Sequence, residues 1–323
     1  MISLGEKIAV KAAGKPIFNT KAPLLKSIIN QRQLIVLIMP FMLFVLVFNY
    51  LPIWGWSMAF VNFRPGTSIF DSEFVGLANF IEAFSDRNFI IAIRNTLMTS
   101  TLRISTGFVA AIMLALMLNE VKSIPFKRTV QTISYLPYFI SWVVASTIVY
   151  TALSPSDGIV NIVLYQLGLI EEPVPFMGNP DYFYGIVALS NIWKNVGWNA
   201  IVYLAAMAGI DPELYEAACI DGAGRIRRIL AVTLPSIMPT IKILLVLNIG
   251  FLMNAGFEQV YLLSNPSNIE ASRTIDIHVF NFALRSGRLS YGTAIGIFNS
   301  VVAVMLISIS NYISKKIDGY GIF

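Results

Sequence analysis

Residues 209–240 read GIDPELYEAACIDGAGRIRRILAVTLPSIMPT. Asp211 is the predicted N-cap, with Pro212 at the first helical position and Glu213 in the first turn; an acceptor side chain, a fixed φ and a negative charge each favour a helix start there. The helix runs through Tyr215, Ala217 and Ala218 to Gly222, and Gly222 with Gly224 permits a sharp turn. A second amphipathic stretch follows, with Ile226, Ile229 and Leu230 on one face and Arg225, Arg227 and Arg228 elsewhere, until Leu234 and Pro235 stop it. Long apolar runs flank this pair, about 182–208 before it and 241–263 after it. A bent, polar-edged helix pair between two such runs reads as a connection at a membrane face, suited to docking a partner.

The composition agrees. The chain has 323 residues, 56% hydrophobic and 13% charged, with a mean hydropathy of +0.70. A soluble domain carries about one quarter charged residues, so a soluble enzyme and a disordered chain are both excluded. The single Cys219 leaves no disulfide framework or Cys-based zinc site, and the single His278 leaves no histidine cluster for a metal or for paired acid–base work. The net charge of +5 lies between apolar spans, which points to membrane topology and away from nucleic acid.

Six stretches reach the roughly 20 residues needed to cross a hydrocarbon core: about 34–53, 90–118, 129–153, 182–208, 241–263 and 291–313. Pro40, Pro52 and Pro137 fall in or beside them, where neighbouring helices can satisfy the freed backbone groups. The expected fold class is all-α, a polytopic membrane protein of six transmembrane helices. Its domain plan is a basic cytoplasmic segment over 1–33 and a transmembrane domain over 34–323, with the connecting loop at 209–240. Lys7, Lys11, Lys15, Lys21, Lys26 and Arg32 precede the first span; Lys122, Lys127 and Arg128 fill the second loop, Arg225, Arg227 and Arg228 the fourth, and Lys315 and Lys316 the tail. Asp157, Glu171, Glu172 and Asp181 fill the third loop, which lacks Lys and Arg. The positive-inside rule therefore puts both termini in the cytoplasm, although the fifth loop, with Arg273, Arg285 and Arg288, is less clean. The first thirty residues lack a signal-peptide pattern and are expected to be retained, as an amphipathic helix on anionic lipid or as a solvated basic arm.

The pattern Glu216-Ala217-Ala218, three residues, Gly222, nine residues, Val232, one residue, Leu234-Pro235 resembles the Glu-Ala-Ala loop of permease subunits in binding-protein-dependent ABC importers. Val232 replaces the usual Ile, and Ile229 stands where many sugar permeases have Phe; both keep an apolar knob. The resemblance extends over nearly the whole chain and is nearest to the LplB-type polysaccharide and oligosaccharide permeases, which include alginate permeases. Phe48 to Pro52, Val75 to Phe80, Arg94 to Leu97, Leu116 to Glu120, Tyr135 to Trp142 and Ile192 to Trp198 carry it. It implies a type I ABC importer permease fold in a bacterial cell membrane. The expected partners are a second permease subunit that makes a heterodimer with this one, two ATPase subunits and an extracytoplasmic solute-binding protein. In such a loop Tyr215, Glu216, Ala217, Ala218, Asp221, Gly222, Ala223, Arg225, Leu234 and Pro235 would form the ATPase-coupling element. The chain contains no G-x-x-x-x-G-K-[ST], so it is expected to be no enzyme and to hold no cofactor, with ATP and Mg bound by the partner ATPases.

Charged groups inside a bilayer cost about 2.5–3.5 kcal/mol each on insertion scales and normally face a bundle interior or a water-filled path. Arg94, Arg103, Lys194 and Glu258 are the candidates. Arg94 and Lys194 either face such a path or snorkel at span ends; Glu258 either lines the pathway or pairs with an arginine of the fifth loop. Sugar recognition calls for aromatic faces together with amides and hydroxyls. Asn191, Lys194, Asn195 and Trp198 recur at i, i+3, i+4 and i+7 in the fourth span, with Trp193 and Tyr203 beside them. They form the expected substrate pathway with Asn248, Asn254 and Glu258; the bland alternative is interface anchors and interhelical glue. An ion-coupled secondary transporter relaying protons through Glu258 or Lys194 is the rival function, and it leaves the 209–240 loop without a role.

Overall fold

The computed structural model describes residues 31–318, so most of the segment expected at 1–33 lies outside the described residues. The chain divides into two units, Met1–Trp56 and Ser57–Phe323. In the first, α1 (Arg32–Val45) continues through a π turn at Leu46–Tyr50 and buries none of its residues. Pro40 sits inside α1 without ending it, as expected.

The second unit contains α2 (Ala78–Ser85), α3 (Arg87–Glu120), α4 (Ile124–Tyr135), α5 (Trp142–Ala152), α6 (Ile159–Gln166), α7 (Pro180–Ala208), α8 (Pro212–Ile220), α9 (Arg225–Gly250), α10 (Phe257–Leu263), α11 (Ile269–Ser272), α12 (Ile275–Val279) and α13 (Leu289–Asp318). Extended pairing among the described residues is limited to one isolated bridge, Val61 to Phe74.

Helices α3 and α7 form the most extensive pairing. The buried stripe of α3 is made of small groups at helical spacing, among them Ala92, Thr96, Thr99, Ser100, Gly107, Ala111 and Ala115. Inside lipid there is no hydrophobic gain from helix association, so close backbone approach over small side chains supplies the packing. Around this pair lie three apolar clusters: Phe183, Val187, Val260 and Leu263; Phe89, Met253, Tyr291 and Ile295; and Ala111, Ala200, Tyr203, Met207 and Ile237.

Four helices are long and apolar enough to cross a membrane, Arg32–Phe60, Arg87–Glu120, Arg225–Gly250 and Leu289–Lys316, and the bent pair Ile124–Phe139 with Trp142–Ala152 makes a fifth. Helix α7 has the length, at 29 residues, but Asn191, Lys194, Asn195 and Asn199 interrupt its hydropathy. Two expected spans change shape. The third is broken by 105° at 140–141, after a 3-10 turn containing Pro137. Ile140 and Ser141 turn extended, and Ser141 caps α5 by accepting from the Val144 amide. The fifth begins earlier than expected, because Leu234 and Pro235 do not stop the helix. A π turn at Ile229–Thr233 lets the Leu234 amide reach back to Ile229, and Pro235 then falls in the first turn of a renewed α-helix, where its missing N–H costs little. The expected 209–240 connection is thus 16 residues of loop and short helix, 209–224, followed by span.

Connections on the other side are built, not loose. Asn161 of α6 donates to the Ser154 and Val174 carbonyls and accepts from the Val174 amide, folding the third loop on itself. Asp157 at its tip accepts from Ser154 and Ser156, and these hydrogen bonds hold its carboxyl below the ordinary value. The fifth loop is tied to α3 by Asn95, which donates to the Glu270 and Arg273 carbonyls, and by Thr96, which accepts from the Ile275 amide.

Candidate functional site

Helices α3, α7 and α9 enclose a cavity of about 470 Å³. Asn191, Asn195 and Asn199, each one turn apart on α7, form a ladder of amides along one wall with Trp198 and Tyr203. Asn248 and Asn254 face it from α9 and the turn after it, and Arg103, Gly107 and Phe108 line it from α3. Gly107 is small because Asn191 is there: a Cβ would sit 3.2 Å from the Asn191 amide nitrogen. Asn195 donates to the Asn191 side-chain oxygen at 2.8 Å, which fixes both amides, while Asn248 donates to Leu244 and keeps its oxygen for the cavity. Tyr203 meets Phe108 edge to face and is almost wholly buried.

Of the residues expected in a substrate pathway, this cavity brings together Asn191, Asn195, Trp198, Tyr203, Asn248 and Asn254. Three lie elsewhere. Lys194 points from the neighbouring face of α7 into the break of the bent span, where its ammonium donates to the Tyr138 carbonyl at 2.8 Å and sits 5.3 and 5.4 Å from the Tyr138 and Trp142 ring centroids. Breaking the helix freed that carbonyl, and Lys194 satisfies it. Trp193 borders a second, apolar hollow with Ile148, Leu153 and Leu189. Glu258 is exposed in the first turn of α10, feels the charge of Lys194, and forms no ion pair among the described residues. Sequence reasoning missed Asn199 and named Arg103 only as a charge facing the bundle interior or a water-filled path, without joining it to the asparagines. The signal was available in the i+4 steps Asn191, Asn195, Asn199 on α7 and Arg103, Gly107, Ala111 on α3.

The second element is the 209–224 connection. Asp211 accepts from the Glu213 amide and Pro212 opens α8, as the capping rules require. Glu216, Ala217, Asp221 and Gly222 are exposed, and Ala218 and Ala223 half-buried, with the Ala223 amide donating to the Ala218 carbonyl. Gly222 has a φ of 74°, the left-handed conformation that suits glycine, so the sharp turn expected there is present. Tyr215 pairs with Thr233 across the turn at 3.0 Å, tying α8 to the π turn of α9. Arg225 starts that helix and is exposed; Ile220, Ile226 and Leu230 expose apolar side chains beside it. The result is a braced knuckle whose outer face carries acidic side chains on α8, arginines at the start of α9 and apolar groups between them.

The family described as "binding-protein-dependent transport system inner membrane component" matches residues 107–319, which cover the α7 ladder, the knuckle and α9. The chain belongs to this family. As an inner membrane permease it is similar over most of its length to LplB of Bacillus subtilis strain 168, at 40% identity across 91% of this chain and 92% of LplB. It is similar to the polygalacturonan/rhamnogalacturonan permease YteP of the same organism at 39% identity, across 93% of both chains. A crystal structure of a bacterial alginate ABC transporter, in complex with an alginate pentasaccharide-bound periplasmic protein, contains a chain that matches this permease with a TM-score of 0.86. That match has 40% identity over 93% of this chain and 99% of the other.

Proposed function

We propose that this permease forms, with a second permease subunit, the transmembrane path of an ATP-driven importer for oligosaccharides or polysaccharides. An extracytoplasmic binding protein delivers the sugar, and two ATPase subunits bind the ATP and Mg; this chain contributes no nucleotide site and catalyses no covalent chemistry. Both termini are cytoplasmic, which sets the knuckle at 209–224 on the ATPase side. The observation that carries the reading is the pairing of a polar, aromatic-walled cavity with a rigid exposed knuckle in one chain. Amides that donate and accept, and ring faces beside them, are the groups that sugars engage. Glu216 and the small Ala217 and Ala218 give an ATPase cleft a charged contact and a close seat, Asp221 and Gly222 hold the turn, and Leu234 and Pro235 carry the motion into α9. An ion relay through Glu258 and Lys194 lacks this support, since neither residue lines the cavity.

The test is uptake by proteoliposomes containing the complete complex and its binding protein. Wild type is expected to accumulate labelled oligosaccharide only with ATP inside the ATPase compartment. Glu216→Lys and Gly222→Val are expected to insert normally yet lose ATPase co-purification and uptake, because one reverses the contact charge and the other forces a β-branched residue into a left-handed turn. Full uptake by both variants refutes the knuckle's role; uptake without any ATPase refutes the importer.

A further inference from the structure

The apolar hollow beside Trp193 has a volume of about 310 Å³ and lies between α5 and α7. At about 100° per residue, its α7 wall of Ile186, Leu189, Ser190 and Trp193 centres about 170° around the helix from the asparagine ladder. The hollow therefore faces away from the polar cavity. It occupies the wedge left by the bent span: α4 packs along α7, whereas α5, turned by 105°, packs on α10 more than on α7 and donates from the Tyr150 hydroxyl to the Leu263 carbonyl at 3.1 Å. Ile148, Leu189 and Trp193 stand exposed at its rim, and Ile186 and Ser190 are buried at its floor. The one hydroxyl in the lining is already committed, since Ser190 donates to the Ile186 carbonyl and accepts from Gln259. A sugar or an ion would shed its water there without replacement, while an aliphatic chain gains close contacts on two walls.

Depth and charge narrow the occupant. Ile186 and Trp193 lie about 9 and 20 Å along the axis from the start of α7 at Pro180. With the orientation proposed above, that interval falls in the outer half of a hydrocarbon core about 30 Å thick. The third loop leaves α5 just after Leu153 and re-enters the membrane at α7. It exposes Asp157, Glu171, Glu172 and Asp181 and carries no Lys or Arg. Asp157 follows Leu153 by four residues and Asp181 precedes Ile186 by five, so acids flank both walls at the outer end. Such a border repels an anionic headgroup and attracts an ammonium. We infer that the hollow is a lipid site that holds an acyl chain of a zwitterionic, amine-headed phospholipid of the phosphatidylethanolamine type, with its ammonium toward the acids of the third loop. The chain adds van der Waals contacts between α5 and α7, where no hydrophobic gain from helix association is available, and so acts as a wedge under the bent span. This rests on the orientation given above and is independent of which sugar is carried.

The experiment offers the detergent-purified permease–ATPase complex equal amounts of phosphatidylethanolamine and phosphatidylglycerol with identical chains, and counts retained lipid by native mass spectrometry. Wild type is expected to retain the amine-headed lipid about fivefold or more over the anionic one. Ala152→Phe, which fills the hollow with its own ring, is expected to lose one retained lipid per complex. Val143→Phe, as bulky but on another, exposed face of α5, is expected to keep it. Asp157→Asn combined with Asp181→Asn is expected to keep the lipid and bring the two headgroups within about twofold. In intact membranes, p-benzoylphenylalanine in place of Leu189 is expected to give a phospholipid adduct on irradiation. Equal retention of the two lipids by wild type, or of neither, overturns the inference without needing any variant to fold. So does undiminished retention by an assembled Ala152→Phe complex, and so does a Leu189 adduct with the second permease, which would make the hollow a subunit contact. Sugar uptake by the same preparation tests the transport reading separately, and its failure leaves the lipid count unaffected.

Discussion

His278 sits 1% exposed within hydrogen-bonding distance of Tyr291 and beside Asp86, with Arg273 and Arg288 also acting on it. The Tyr291 hydroxyl donates to Asp86 Oδ2, so the Tyr291 oxygen must accept from His278 Nε2–H, and Nδ1 is left as a lone pair without a partner. A proton on Nδ1 would find no acceptor there, which favours the neutral ring, and burial lowers the His278 pKa to about 4 against the pull of Asp86. In the unfolded chain the same ring protonates near pH 6.5, so the folded state is fully stable above that pH and loses stability as pH falls from 6.5 toward 4. The loss amounts to about 3 kcal/mol. Thermal melts of the purified complex between pH 4 and 7 measure it, and His278→Gln is expected to flatten the profile in that window. The asparagine stripe on α7 was legible in the sequence because i+4 periodicity is local. The direction of Lys194 was not, since it depends on a carbonyl freed by a bend in another helix, 56 residues away. Lys194→Met, which deprives Tyr138 of that donor, is expected to destabilise the protein by about 1–3 kcal/mol, read as a lowered melting temperature.

At the scale of elements, the start of α8 and the Gly222 turn followed from capping and backbone rules that act within four residues, so sequence sufficed for them. The continuation of α9 through Leu234 and Pro235 did not follow, because a π turn redistributes hydrogen bonds in a way that no residue-by-residue stop signal registers. The bend after Pro137 is similar: proline permits it, but the α4–α7 contact selects it. Within that contact a Cβ on Gly197 would run into the Ser134 carbonyl, whereas one on Gly185, on the same helix, would meet open space. Gly197→Ala is therefore expected to destabilise by about 1–3 kcal/mol, while Gly185→Ala is neutral or stabilising. Differential scanning fluorimetry of the two variants, matched in helix and chemistry, separates the collision from propensity.

For the whole molecule, hydropathy revealed an all-helical membrane protein, since lipid demands apolar surface that no other solvent does. The sequence reading counted six crossings, whereas four helices and one bent pair among the described residues are long and apolar enough for one, and α7, interrupted by Asn191, Lys194, Asn195 and Asn199, falls outside that count. Reporter fusions bear on the proposed orientation: alkaline phosphatase joined after Gly168 is expected to be active and after Asp221 inactive, and the reverse result would invert the topology. The amide ladder of Asn191, Asn195 and Asn199 has a further implication for throughput. Its rungs repeat every roughly 6 Å along the helix axis. On the proposed pathway a polymer made of repeating units meets an amide side chain each time it advances one rung, so letting go at one level coincides with capture at the next. The work of passage is then divided into steps of one rung each rather than taken in a single release.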